Sequence, residues 1–152
     1  MLKSEILMNR FSGIHFTFDP HFPNLTSALT FNTTVYLNPA MSEIHQVEVL
    51  AEEIGHVETS VGNITDYSNP KNWQQELRAR KRGYEIAVPI DELGRALSND
   101  IDNIDSLAGY FGVSPEYTIA AIQYYVDKYG QTVETDNYLI ELDPALNATM
   151  LR

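Results

Sequence analysis

The most regular hydrophobic pattern in the chain is Ile44, Val47, Ala51, Ile54 and Val57, spaced three or four residues apart. That spacing predicts a helix from about Ser42 to Glu58 with one buried side, and Ser42 is placed to cap its start. Trp73, Leu77, Arg80, Tyr84 and Ala87 keep helical spacing after Asn69-Pro70, so another helix begins there and stops at Pro89. Shorter helices are expected at about Ser4 to Phe11, Ile90 to Leu97, Ile104 to Phe111 and Pro115 to Tyr129. Alternation replaces this period in Gly13-Ile14-His15-Phe16-Thr17-Phe18, until Asp19-Pro20 and Phe22-Pro23 break it. Thr33-Thr34-Val35-Tyr36-Leu37 is rich in β-branched and aromatic residues and ends at Asn38-Pro39, and Tyr138 to Leu142 reads as a late strand. Gly62 and the stretch from Asn63 to Pro70 read as a loop. The mixture predicts an α+β fold in which helices dominate.

A length of 152 residues suits a single domain with one core, and no internal repeat, low-complexity tract or linker divides it. Apolar residues at 43% and charged residues at 20% argue against wholesale disorder. Cysteine is absent, so disulfides and thiolate ligands are excluded and any metal must be held by His, Asp or Glu. No apolar run approaches the ~20 residues needed to span a bilayer, and Met1 to Arg10 lacks the apolar core of a signal peptide. A cytoplasmic location is the expectation. The formal net charge of −11 works against non-specific nucleic-acid binding, which rewards clustered Lys and Arg.

The segment Leu50-Ala51-Glu52-Glu53-Ile54-Gly55-His56 carries the most pointed chemistry. Residues i and i+4 of a helix project from one face, so Glu52 and His56 can close on a single cation. Glu53, next to the first ligand, can then act as general base toward water. The zinc-peptidase motif H-E-x-x-H uses this division of labour, with two histidines as ligands and the glutamate as base. Here Glu52 takes the place of the first histidine. Glu76 on the next helix sits beside Ala79 and Gly83, small residues that allow two helices to approach closely, and it can complete a set of three ligands. The strand ending at Leu37 just before the motif helix is a candidate edge strand for holding extended substrate through its backbone.

Taken together, Thr34 to Asn38, Glu48 to His56, Thr59 to Ile64 and Gln75 to Arg80 resemble the ImmA/IrrE family of metallopeptidases, in the form carried by phages and mobile elements. The resemblance is strongest from about residue 30 to 90. It implies a helix-rich, zincin-like fold with a small β-sheet and a C-terminal helical pair. About 1–98 would form the catalytic core and about 99–152 a helical extension, within one metallopeptidase-like domain over 1–152. It further implies Glu52, His56 and Glu76 as metal ligands and Glu53 as the catalytic base. Zinc is the expected cofactor, with manganese or iron as possible substitutes. The implied function is an endopeptidase that cleaves a helix-turn-helix repressor of a prophage or mobile element. Because a second carboxylate replaces a neutral imidazole, the ligands cancel the cation's charge and lower its Lewis acidity. This departure leaves a second reading open: a metal-binding scaffold that binds the repressor without cutting it.

Other candidates carry less. His15, His21 and His45 have no partner at ligand spacing and read as surface or strand residues. Arg78, Arg80, Lys81 and Arg82 spread around a helix and read as a solvated face, or as a dock for an acidic segment. Tyr67 and Tyr84 are possible polarising groups for a substrate carbonyl. Leu107 to Pro115, with small Ala108 and a turn glycine, looks like the corner of a helix-turn-helix. The following helix, Glu116 to Tyr129, has Lys128 as its sole basic residue, so a structural helical pair that helps dock substrate is preferred to direct nucleic-acid binding.

Overall fold

Val47, Leu50, Ala51 and Ile54 form the buried stripe of helix α2, Glu43–Thr59, and the first half of the molecule is built against them. The computed structural model describes residues 1–21, 27–59 and 70–151; the expected loop around Gly62, Tyr67 and the Phe22-Pro23 break lie outside these residues. The described chain is 54% helical, with short strands in two sheets, as the α+β expectation requires. It divides into two compact units, Met1–Ile86 and Ala87–Arg152.

In the first unit, helix α1 (Lys3–Arg10) lies against α2. Ser4 is buried, and both its backbone N–H and its hydroxyl donate to the Glu43 carboxylate, at 3.0 and 2.6 Å. The same carboxylate lies in the first turn of α2, where the helix dipole favours negative charge. Ser42 caps α2 as expected, accepting from the backbone N–H of His45 at 3.2 Å.

Strands β1 (His15–Phe18), β2 (Ala28–Phe31) and β3 (Thr34–Leu37) form a sheet in the order β1-β3-β2. β1 runs parallel to β3 and β2 antiparallel to it, with Phe31 opposite Thr34. Asn32 makes the tight turn of this hairpin in the left-handed region at φ 55°. β3 is therefore the central strand, and its backbone is paired on both sides. The expectation that it forms the edge is corrected: among the described residues the edges are β1 and β2. Burial follows the same logic, since Val35 and Leu37 are fully buried while Leu29 and Phe31 of β2 are exposed.

Helix α3 (Pro70–Ala87) begins and ends near the expected limits but turns a different face inward. Trp73 is 47% exposed, whereas Gln75, Glu76, Ala79, Gly83 and Ile86 are buried. The reason is steric. A β-carbon added to Gly55 on α2 would lie 2.2 Å from the Ala79 carbonyl oxygen, and one added to Gly83 would lie 3.2 Å from Glu52 Cα. The two backbones touch, and only the small-residue side of α3 permits that.

The second unit contains α4 (Ile90–Ser98), α5 (Ile104–Phe111), α6 (Pro115–Tyr129) and an antiparallel sheet of β4 (Thr132–Glu134), β5 (Tyr138–Glu141) and β6 (Asn147–Met150). The α5–α6 corner is specified locally. Asn103 and Ser114 cap the two helices, Gly112 takes the left-handed conformation between them, and Pro115 opens α6. The buried Tyr125 hydroxyl donates to the Val88 carbonyl at 2.7 Å, tying α6 to the segment before α4. Lys128 packs over the rings of Tyr124 and Tyr129, at 5.8 and 5.2 Å from their centroids.

The two kinds of glycine give opposite predictions. Gly55→Ala should lower the free energy of unfolding by about 1–3 kcal/mol, because the α2–α3 contact has no room for a methyl group. Gly109→Ala, on an open face of α5 with nothing within 4 Å, should leave stability unchanged or raise it by up to ~1 kcal/mol. Urea denaturation of both variants checks the contrast, and equal midpoint shifts would contradict the proposed contact.

Candidate metal centre

The α2–α3 contact brings the acidic side chains of both helices together. Glu52 and His56 lie one turn apart on α2 and face α3, whose Glu76 is buried at the contact. The donor atoms of Glu52, His56 and Glu76 all lie within 4.8 Å of one another. His56 Nε2 stands 3.1 Å from Glu76 Oε2. Yet Glu76 Oε2, fully shielded from solvent, has no hydrogen-bond partner among the described residues, so the contact lacks the alignment of a hydrogen bond. A buried carboxylate oxygen left in this state is costly unless something else satisfies it.

Charge makes the same point. Burial pushes the Glu52 carboxyl above the usual carboxylate range, and the neighbouring Glu76 carboxylate pushes it further; Arg80 and His56 oppose this. Burial also raises Glu53, with Glu52 adding to the effect, against the Thr30 hydrogen bond and His56. A divalent cation removes both problems at once, by neutralising the crowded carboxylates and giving Glu76 Oε2 a partner. Two carboxylates and an imidazole are suitable donors for such an ion, which takes bonds of about 2.0–2.2 Å from them. The residues present therefore fit a metal.

Glu53 points elsewhere. Its Oε2 accepts a short hydrogen bond from the Thr30 hydroxyl on β2. The sequence reading missed both this residue and its strand. The available signal was Ala28-Leu29-Thr30-Phe31 alternating ahead of Asn32, a residue that tolerates the left-handed turn of a hairpin.

Arg80 belongs to the run expected to form a solvated basic face. Its Nε lies 3.9 Å from Glu52 Oε1, and its side chain is 44% exposed. Arg82 of the same run bonds Glu58 at 2.6 Å and Glu85 at 3.5 Å, clamping the end of α2 to α3. Tyr84, one turn beyond Arg80, is half-buried beside the centre; burial raises its hydroxyl, Arg80 opposes that, and Glu52 adds to it. His15, His21 and His45 are exposed and take no part.

A family model described as the IrrE N-terminal-like domain, a peptidase family, matches residues 6–122. The chain belongs to this family. No curated protein compared with it matches significantly. Among solved structures, a Mycobacterium tuberculosis transcriptional regulator is similar in fold, with a TM-score of 0.60 and 17% identity. The match covers 80% of this chain but only 39% of that one. As a member of the IrrE N-terminal-like family, the chain has a peptidase scaffold in which α2 and α3 together present a Glu/His/Glu cluster able to hold a metal. No described helix is long and apolar enough to cross a membrane.

The raised carboxyls give a pH prediction. In chelator, folded Glu52 and Glu53 hold protons that the unfolded chain releases, so stability is greatest below the usual carboxylate range and falls as pH rises through the raised values. Added zinc should reverse that loss, stabilising more at pH 7.5 than at pH 5.5. Melting temperatures with EDTA and with zinc check this; a zinc effect independent of pH would count against it.

Proposed function

We propose that this chain is a cytoplasmic zinc endopeptidase that cleaves a helix-turn-helix repressor of a prophage or mobile element. Glu52, His56 and Glu76 hold the metal, Glu53 is the base, and manganese or iron can replace zinc. The convergence of three donor atoms, one of them the buried Glu76 Oε2 that accepts no hydrogen bond among the described residues, carries this reading. The membership of a peptidase family supports it, and the name of the mycobacterial relative, a transcriptional regulator, is in keeping with a role in gene control.

When bound, the cation supplies the Lewis acidity that polarises a scissile carbonyl and acidifies the attacking water. Glu53 accepts the proton of that water and returns it to the departing amine. Its raised affinity for protons suits the first half of this shuttle, since a stronger base takes the water proton more readily. Thr30 holds the carboxylate in place through its hydroxyl. The β2 edge, which carries Thr30, offers backbone donors and acceptors to an extended substrate strand next to the base.

Glu52 favours a second reading on specific grounds. With two carboxylates in the shell the cation's charge is cancelled, and Lewis acidity falls relative to a two-histidine site. A scaffold that grips the repressor without cutting it needs no such acidity.

Glu53→Gln should retain zinc and reduce cleavage of the cognate repressor by about 10²–10⁴-fold. Glu76→Ala should lose zinc as well. Metal analysis of protein purified without chelator and a cleavage assay with the repressor provide the measurements. Metal-free wild type indistinguishable from Glu76→Ala would sink the metal centre; a stable, uncut complex would replace the peptidase with the scaffold.

A further inference from the structure

The centre differs from a two-histidine site by one negative charge, and among the described residues Arg80 is the cation that stands against Glu52, which introduces it. Arg80 lies on α3 one turn beyond Glu76, so both face the same part of α2. Its Nε is 3.9 Å from Glu52 Oε1. Two carboxylates, from Glu52 and Glu76, meet the imidazole of His56 here, and among the described residues Arg80 is the guanidinium placed on Glu52. The neighbouring cation Arg82 is turned away, toward Glu58 and Glu85.

We infer that Arg80 is a positioning residue that offsets the negative charge Glu52 adds to the centre. A divalent cation with two carboxylates and one imidazole is neutral; adding the Arg80 guanidinium restores a net charge of one positive unit. That is the charge of a divalent cation with one carboxylate and two imidazoles. Arg80 therefore keeps the centre electron-withdrawing despite Glu52, and does so by opposing the cation it serves. Its contribution to metal affinity is unfavourable, while its contribution to Lewis acidity is favourable. This inference rests on the proposed metal centre.

The opposed signs give a test that a merely structural role would not pass. Zinc affinity of the full chain is measured by competition with a chromophoric chelator, for wild type, Arg80→Gln, Arg80→Lys and Arg78→Gln. Arg80 is exposed enough that its replacement should not disturb folding, and a melting curve checks this. Arg80→Gln is expected to bind zinc roughly three- to tenfold tighter than wild type, the scale of one nearby, partly screened charge. Arg80→Lys and Arg78→Gln should stay close to wild type, and the gain in Arg80→Gln should shrink at 0.5 M salt as screening increases (roughly a few ångströms of Debye length). Zinc-binding wild type with Arg80→Gln equal or weaker would overturn the charge role and leave the metal centre standing. Wild type that takes up no zinc would overturn both.

Discussion

The contact between the backbones of α2 and α3 is the constraint on which the candidate centre depends. Ligands on two helices reach a common point only if the helix axes come closer than ordinary side chains allow. Gly55 and Gly83 remove the obstructing β-carbons, and Ala79 presents its carbonyl oxygen directly to Gly55. Both helices also carry fully buried apolar residues, Leu50 and Ile54 on α2 and Ile86 on α3, each no more than 2% exposed. The close approach also has an electrostatic cost. It takes Glu52 and Glu76 partly out of water beside each other, a destabilising arrangement for an apoprotein and a favourable one for a cation-bound form.

The surroundings of the centre divide this charge among distinct partners. Glu76 is set against His56, Glu52 against Arg80, and Glu53 against the neutral Thr30 hydroxyl. A neutral donor holds a carboxylate without adding a positive charge that would strip it of its basicity. In the proposed mechanism that is what a general base requires, whereas a ligand tolerates a cationic neighbour.

Much of this was legible in the sequence because it is governed by local spacing. The i, i+4 relation of Glu52 and His56, the Ser42 cap, and the small residues beside Glu76 all act within one or two turns. The α5–α6 corner was similarly encoded by Gly112, Ser114 and Pro115. What escaped depends on pairing between distant segments. β2 is four residues long and mostly exposed, and only its partner β3 makes it a strand. β4 and β6 are likewise short strands recruited by β5. The inward face of α3 escaped for a related reason. Hydrophobic periodicity pointed to Trp73, Leu77 and Tyr84, but the neighbouring helix selected the side without bulk.

The different partners of Glu52 and Glu53 follow from the helix itself. Consecutive residues on an α-helix project about 100° apart, so adjacent identical side chains meet different neighbours. Glu52 turns with His56 toward α3, and Glu53 turns toward β2 and Thr30. A strand on one side and a helix on the other thus give two chemically equivalent carboxylates unequal surroundings. Shifting the motif by one residue toward the C-terminus of α2 would put the ligand at position 53, beside the Thr30 hydroxyl, and the base at position 54, in the buried core. The position of the motif on the helix therefore matters as much as its composition, because the roles reside in the direction each side chain takes.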